Sequence, residues 1–317
     1  MRKNPKVAIV IPNWNGRELL RSCLESIKKN TSYPNYEITV VDDASTDGSV
    51  DMVKKEFPDV RLIRNKENLG FPKACNRGIK YALEKCNLDY VLLQNNDTEI
   101  IQKGWLEALI EVAERDGKIG IVGCKVIHPN GELQRTAGFV KPWKGNLVEL
   151  SDNEKITEVD IVGGQAFLIR KEVIGKIGLL DEGFSPFLWE DSDYDIRVKK
   201  AGYKIVFDPK ATLIHHGGAS IKKKDKNAGF FVYKRNKIRF MLLNFPLKWI
   251  ILETPYDILS LFLEKKDKRV GLNLTNVKLR RNFSKNLGLF SKVYWVNLKN
   301  LREIIGKRKN RTAKIWY

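Results

Sequence analysis

Cysteine is scarce in this sequence: Cys23, Cys75, Cys86 and Cys124 are the only four, and no two stand in CxxC spacing. That excludes a disulfide framework and a cysteine zinc site, and leaves each as a small apolar residue of a reduced core. No secretory leader is expected, because Met1-Arg2-Lys3 is followed only by the short run Val7 to Ile11, which Pro12 stops. The longest apolar stretches, around Trp249 to Leu252 and from Ile258 to Leu263, are interrupted by Glu253, Pro255 and Asp257. Both fall short of the roughly 18–20 residues that a membrane span needs, so the expectation is a cytoplasmic, non-integral protein. No GxGxxG follows the first strand pattern and no GxxxxGK[ST] occurs, which argues against a dinucleotide dehydrogenase and a P-loop NTPase. Internal repeats and low-complexity segments are absent.

Charge is present in excess, and in one place. Residues 1–220 carry 32 basic and 32 acidic side chains, whereas residues 221–317 carry 25 basic against 6 acidic and so hold the entire surplus of +19. The break at Ser220 divides a balanced body, fit for a small-molecule site, from a basic extension that seeks an anionic surface. In the extension, cations alternate with Phe230-Phe231-Val232-Tyr233, Trp249-Ile250-Ile251, Leu261-Phe262-Leu263 and Val293-Tyr294-Trp295-Val296. Mainly helical amphipathic segments of this composition lie on membrane surfaces. Nucleic-acid binding by the extension is the alternative, although no RNP, KH or helix-turn-helix signature accompanies it.

The body alternates strand and helix patterns. Runs at Val7–Ile11, Ile38–Val41, Val60–Ile63, Tyr90–Leu93 and Ile119–Val122 are separated by helical periods such as Leu20-Cys23-Leu24-Ile27. The pattern predicts an α/β fold with a mostly parallel sheet flanked by helices, and such sheets bind ligands beyond the carboxyl ends of their strands. Residues 126–220 read as less regular, with an apolar run from Val159 to Arg170, an acidic helix near Glu190 to Lys200 and a strand at Lys204–Phe207.

Three polar clusters follow the strands: Pro12-Asn13-Trp14-Asn15-Gly16, Asp42-Asp43-Ala44-Ser45-Thr46-Asp47-Gly48, and Gln94-Asn95-Asn96-Asp97-Thr98. Any one of them is ordinary helix-capping chemistry, but three at one sheet edge make a site. Asp43 is placed to accept hydrogen bonds from a base or ribose, and Trp14 to offer a stacking face. Asp97 is a natural oxygen ligand for Mg²⁺ or Mn²⁺. The segment Trp189-Glu190-Asp191-Ser192-Asp193-Tyr194-Asp195 packs four acids into six positions, which serves either a helix N-terminus or catalysis. His215, before Gly217-Gly218, either ligates a metal or packs.

Together with Asn68-Leu69-Gly70-Phe71 and Asn76-Arg77-Gly78, these motifs resemble a family 2 glycosyltransferase, most closely the rhamnosyltransferase-like branch, over residues 6 to about 245. The resemblance implies a GT-A catalytic domain over residues 1–220 and an inverting transfer from a nucleotide-diphospho-sugar. The acceptor it implies is a glycan or a polyprenyl-phosphate-linked hydroxyl, with a divalent cation (Mg²⁺ or Mn²⁺) assisting. It further implies that Pro12, Trp14 and Asp43 line the nucleoside pocket and that Gly70, Lys73 and Asn76 border the nucleotide-sugar. Asn95, Asn96 and Asp97 occupy the family's DxD position, with Asn95 replacing the first Asp and removing one charge. His215 then matches a metal ligand and Asp191 the catalytic base, with Glu190 beside it. Residues 221–317 are expected to hold the enzyme peripherally on the inner face of the cell membrane.

Overall fold

Strand β1 (Val7–Asn13) is buried along its whole length, as the central strand of a sheet covered by helices on both faces must be. The structure is a computed structural model that describes residues 3–134, 137–141, 146–149, 154–217, 226–251 and 283–311. β2 (Tyr36–Asp42) and β4 (Tyr90–Gln94) flank β1 in parallel, and β3 (Arg61–Arg64) adds to β2 at the edge. The register sets Asn13 opposite Asp42, so the polar clusters after β1 and β2 start side by side.

Beyond β4 the order runs through β11 (Ala166–Arg170), β6 (Ile119–Ile127), β12 (Lys204–His215) and β5 (Thr98–Ile100). β11 is antiparallel to both of its neighbours and β12 runs parallel to β6. The apolar run 159–170 is thus not irregular. It ends β9 (Thr157–Val159), forms β10 (Ile161–Val162) and then crosses the sheet centre as β11. Side-chain pattern reports burial but not the direction of a non-local partner, so sequence alone could not orient this strand. β10 joins β7 (Ala137–Lys141) and β8 (Asn146–Glu149) in a small antiparallel sheet.

The alternation of β1 divides the core. Val7, Ile9 and Ile11 join one apolar cluster with α1 (Arg17–Asn30), α2 (Ser49–Glu56) and α4 (Trp105–Arg115). Ala8 and Val10 face the other cluster, with α3 (Phe71–Lys85), α5 (Lys171–Ile177) and α6 (Glu190–Lys200). On α1 the buried residues Leu20, Cys23, Leu24 and Ile27 stand at helical spacing. On α3, Gly78 lets the helix approach the sheet, because a Cβ there would lie 2.3 Å from Val10 Cγ1. All four cysteines are buried and free.

The basic extension packs on this body. Its helices α7 (Lys226–Asn244), α8 (Phe283–Lys299) and α9 (Leu301–Lys309) follow the acidic helix region. Phe240, Met241, Leu243, Phe245 and Ile304 share a third cluster with Phe184 and Ile196 of the body. The composition break at Ser220 and the apolar run 261–263 lie outside the described residues. Among the described residues, no helix is long and apolar enough to cross a membrane.

A charge network accompanies that apolar seam. Asp181, 4% exposed at its side chain, meets Arg239 at 3.0 Å, Lys307 at 2.6 Å and Arg311 at 3.2 Å. Asp193, wholly buried, meets Arg197 at 3.0 Å as well as Arg311, and Asn244 Nδ2 donates to it at 2.8 Å. Glu303 on α9 closes the network against Arg239 at 2.8 Å. Burial raises the Asp181 carboxyl, but Arg239, Lys307 and the Gly183 N–H outweigh it and hold the group at about 2, from an ordinary 3.8. The Arg239 hydrogen bond likewise draws Glu303 down to about 2, from 4.5.

These depressed carboxyls stabilise the fold above their unfolded values, and the benefit is lost as pH falls through the folded ones. The expected outcome is that stability measured by urea unfolding drops between about pH 4 and pH 2. At neutral pH, Arg311→Ala is expected to cost about 3 kcal/mol, since it removes one cation from two buried carboxylates. Truncation after Pro246 removes Glu303, Lys307 and Arg311 together and is expected to lower Tm further still.

Candidate active site

The polar clusters meet at the carboxyl ends of β1, β2 and β4. Asn13, buried at the end of β1, donates from Nδ2 to Asp42 Oδ1 at 3.4 Å and to Ser45 Oγ at 3.3 Å. Its Oδ1 accepts from Asn96 Nδ2 at 2.6 Å. Gly16 makes room for that contact, because a Cβ there would lie 2.4 Å from Asn96 Nδ2. Pro12 is buried in β1 opposite Val41, and Trp14 follows half-buried.

Asp43 lies one residue beyond β2, buried, and accepts three hydrogen bonds from the chain. Asn65 Nδ2 donates to Oδ1 at 2.7 Å, Leu69 N to Oδ1 at 2.9 Å, and Gly70 N to Oδ2 at 2.8 Å. This carboxylate therefore shapes the loop that opens α3. Gly70 stands at φ +87°, where glycine is favoured, and a Cβ there would lie 2.8 Å from Pro186 Cα. Lys73, in the first turn of α3, is half-buried and has no ion-pair or hydrogen-bond partner among the described residues. Asn76 is buried, with its amide committed to Leu180 N at 3.0 Å, Leu180 O at 2.9 Å and Glu182 Oε1 at 3.1 Å. It anchors α3 to the segment before the acidic helix.

The antiparallel pairing of β5 with β12 sets Thr98 opposite His215 and so brings together Asp97 and His215, 118 residues apart. Asp97 Oδ1 lies 3.1 Å from His215 Nε2. His215 Nδ1 lies 2.8 Å from Gln134 Oε1; the tautomer with its proton on Nδ1 satisfies that oxygen and leaves the Nε2 lone pair toward Asp97. An imidazole nitrogen and a carboxylate held this way suit a cation between or beside them. Asn95 Oδ1 is buried without a hydrogen-bond partner among the described residues and is a third available donor atom. No group of three or more His, Cys, Asp or Glu that could by itself hold a metal ion occurs among the described residues. The donor set fits Mg²⁺ or Mn²⁺, which complete their shell with water and substrate phosphate.

On the other side stand the acids that open α6. Asp195 Oδ2 accepts from Val162 N at 2.8 Å, and Asp193 is absorbed in the charge network, so two of the four acids are structural. Asp191 accepts from Gly164 N at 2.9 Å and from Ser192 N at 2.7 Å. Glu190 is buried and its Oε2 has no hydrogen-bond partner among the described residues. Burial pushes both carboxyls up, and the neighbouring Asp191 charge raises Glu190 well above its ordinary value. Two adjacent acids cannot both ionise cheaply, and the N–H donors favour charge on Asp191. Glu190 then retains the proton and Asp191 is the carboxylate of the pair.

The segment Gly163-Gly164-Gln165 links the two sides. Gln165 O accepts from Asn95 N at 2.8 Å, while Gly164 N holds Asp191. A Cβ on Gly164 would lie 2.8 Å from Asp191 Oδ2. Gln165 Oε1 is a further buried oxygen without a hydrogen-bond partner among the described residues. Sequence reasoning missed Gln165, Gly164 and Gln134 as site residues, and placed Asn13 in the polar cluster after β1 without a role of its own. The Gly-Gly pair before an apolar run was the one visible signal for the first two. Just before the acids, Leu188 and Trp189 both take positive φ, 75° and 76°, a conformation that costs non-glycine residues about 1–3 kcal/mol each.

The profile of the family described as Glycosyl transferase family 2 matches residues 8–178 of the chain. The N-acetylglucosaminyl-diphospho-decaprenol L-rhamnosyltransferase of Mycobacterium tuberculosis is 26% identical over 222 residues, 62% of this chain and 71% of that protein. The O-antigen biosynthesis protein RfbC of Myxococcus xanthus is 28% identical over 235 residues, 69% of this chain. The chain spans between 18% and 26% of the length of the longer curated relatives. Among solved structures, the mannosyltransferase PcManGT from Pyrobaculum calidifontis, in complex with GDP-Man and Mn²⁺, superposes with a TM-score of 0.56 at 17% identity. That match covers 97% of this chain and 85% of that one, and the shared architecture is the GT-A fold.

A carboxyl whose folded value is raised favours folding when protonated, so its contribution declines as pH rises from the unfolded value through the folded one. Glu190→Gln removes that penalty. Its Tm is expected to exceed the parent's by roughly 2 °C or more at pH 8, with the gain shrinking toward pH 4. A Tm below the parent's at pH 8 would contradict the assignment of a desolvated acid.

Proposed function

Because this chain belongs to glycosyl transferase family 2, we propose that it moves a sugar from a nucleotide-diphospho-sugar to a hydroxyl of a lipid-linked glycan acceptor, with inversion. The observation that carries this reading is Asp191, a carboxylate oriented by two backbone N–H groups and one short loop away from the Asp97–His215 pair. Asp191 takes the proton of the acceptor hydroxyl as its oxygen attacks the anomeric carbon. The bond from that carbon to the diphosphate breaks in the same displacement, and the nucleoside diphosphate leaves. One displacement by one activated hydroxyl inverts the centre, whereas retention ordinarily uses a protein nucleophile as well.

Trp14 and Pro12 serve the nucleoside, with Asp43 shaping the loop beside it. Gly70 and Lys73 border the diphosphate, and Asn76 fixes the helix that carries them. Asn95, Asn96, Asp97 and His215 hold the phosphate end of the donor. A divalent cation bound by Asp97 and His215 would supply charge neutralisation to the departing diphosphate. Support for it comes from the chemistry of these donor atoms and from the Mn²⁺ that accompanies GDP-Man in the Pyrobaculum enzyme. A polyprenyl-linked acceptor is supported by the name of the Mycobacterium relative.

The acceptor class supplies a reason for the basic extension. All the named catalytic groups lie within residues 1–220, and residues 221–317 address the enzyme to the inner face of the membrane. Leu247 is 65% exposed, Ile251 62%, Trp295 58% and Leu298 57%. Lys248 and Lys299 lie over the faces of Trp249 and Trp295. Apolar side chains ringed by cations suit the headgroup boundary, where each cation near an anionic leaflet adds roughly 1 kcal/mol. Neither the fold nor any relative favours nucleic acid.

A donor panel of UDP-, dTDP- and GDP-sugars, with Mn²⁺ or EDTA, tests the activity. Asp191→Asn is expected to lower transfer by about 100-fold or more while nucleoside-diphosphate affinity stays within about threefold. Retention of a tenth of the parental rate would pass the base role to Glu190. Asp97→Ala is expected to weaken donor binding in Mn²⁺ and to change it little in EDTA. For the membrane, Trp295→Asp combined with Leu298→Asp is expected to release the protein from anionic vesicles at a salt concentration the parent withstands. Unchanged vesicle binding would rule out this surface.

A further inference from the structure

The short segment 184–188 delivers Trp189, Glu190 and Asp191 into the site, and a residue of the basic extension holds it. Asn236 on α7 is wholly buried. Its Nδ2 lies 2.7 Å from Phe184 O, 2.9 Å from Phe187 O and 2.9 Å from Leu188 O. Its Oδ1 accepts from Arg235 Nε at 2.8 Å, and Arg235 also donates to Ser185 O. One side-chain amide thus gathers the carbonyls on either side of the turn that enters α6.

That turn is the strained one. Leu188 and Trp189 adopt the left-handed conformation in succession, and neither is glycine. Such a pair persists only where its surroundings over-determine it. The carbonyls of Phe187 and Leu188 are the ones Asn236 holds, and Trp189 is packed against Tyr233 and Phe240 of the same helix, at 5.7 Å and 5.0 Å between ring centres. At the far end of α7, Asn244 reaches Asp193 on α6. The helix therefore grips the acid-bearing segment before and after Glu190 and Asp191.

We propose that Asn236 is a positioning residue for the catalytic acid pair: by fixing the Phe184, Phe187 and Leu188 carbonyls it imposes the left-handed turn that aims Asp191 at the acceptor hydroxyl. This rests on the transferase reading for its kinetic consequence but not for its structural one. The first helix of the extension is then a part of the catalytic centre, whatever the more distal cations contact.

The test compares the parent with Asn236→Ala by transfer kinetics, nucleoside-diphosphate binding and amide hydrogen exchange, using the full chain. The expected result is a fall in kcat of about 100-fold, as for a base displaced by a fraction of an ångström to an ångström. The donor KM and nucleotide affinity should stay within about threefold, because Asn236 bonds to none of the residues of the nucleotide side and reaches them only through the Phe71 N–Pro186 O contact. Exchange should rise across residues 184–193 and stay unchanged across 90–98. Leu188→Gly, which adopts the left-handed turn freely, should restore several-fold of the lost rate when combined with Asn236→Ala. If Asn236→Ala fails to fold, Asn236→Gln, which keeps the donors but displaces them, is read by the same criteria. A kcat per folded molecule within about threefold of the parent, equal losses in kcat and nucleotide affinity, or unaltered exchange at 184–193 would each overturn the proposal. A parent that transfers no sugar from any donor would sink the transferase reading instead, and the exchange result alone would then decide the role of Asn236.

Discussion

The amide of Asn13 is the constraint from which the site is built. It sits at the end of the central strand and is almost wholly buried, so each of its polar atoms requires a partner. Those partners are Asp42, which ends β2, and Ser45 and Asn96 of the loops after β2 and β4. Its carbonyl accepts from Asp43 N at 2.7 Å. A ring of contacts can be followed from there: Asp43 holds Gly70, and Phe71 N donates to Pro186 O at 2.8 Å. The chain then runs through the left-handed turn to Asp191, which Gly164 holds. Gln165 meets Asn95, and Asn96 returns to Asn13. Parallel strands alone would leave these loops splayed from the sheet edge. The closed ring converts them into one rigid rim, and preorganisation of that kind is what a displacement reaction needs from its protein.

Much of this was legible in residues 1–125, where strand and helix alternate and each polar cluster follows its own strand. There the structure's placement depends on local signals: β-branched runs, helical periodicity and the Asp-rich stops. Legibility fails where the partner is distant. β11 enters the sheet centre antiparallel, between strands about forty and seventy residues earlier, and no side-chain pattern encodes such a choice. The same holds for single polar residues. Asn76 carries a motif position but spends its amide on Leu180, and Asp43 spends its carboxylate on the 65–70 loop. Motif spacing locates such residues without saying whether their polar atoms face a ligand or the chain. The acidic segment divides likewise: helical geometry sends Asp193 and Asp195 inward and leaves Glu190 and Asp191 at the opening turn.

The surplus charge of the extension has two destinations. Arg239, Lys307 and Arg311 turn inward to Asp181 and Asp193, so part of what reads as a membrane-seeking surplus is counter-charge for buried acids of the body. Lys248 and Lys299 instead accompany exposed apolar side chains. Net charge by segment therefore overstates the field presented to a surface, because neutral segments can be neutral only before their partners are counted. It also explains why the division between body and extension, sharp in composition, is not a division in packing: the third apolar cluster straddles it.

The acid-bearing region stores several unfavourable features together. Two acids are desolvated, three oxygens at Asn95, Gln165 and Glu190 lack hydrogen-bond partners among the described residues, and two successive non-glycine residues are left-handed. Each opposes folding, and a body of this size has only a modest net stability to draw on. The compensation is supplied next door, by an apolar seam and a network of carboxylates and guanidinium groups contributed largely by α7 and α9. The strained, acid-bearing rim and the helices that brace it form one energetic unit, in which neither half has to be optimal alone. Each of these oxygens is positioned to accept from a hydroxyl, and the bracing helices hold the segment that carries Glu190.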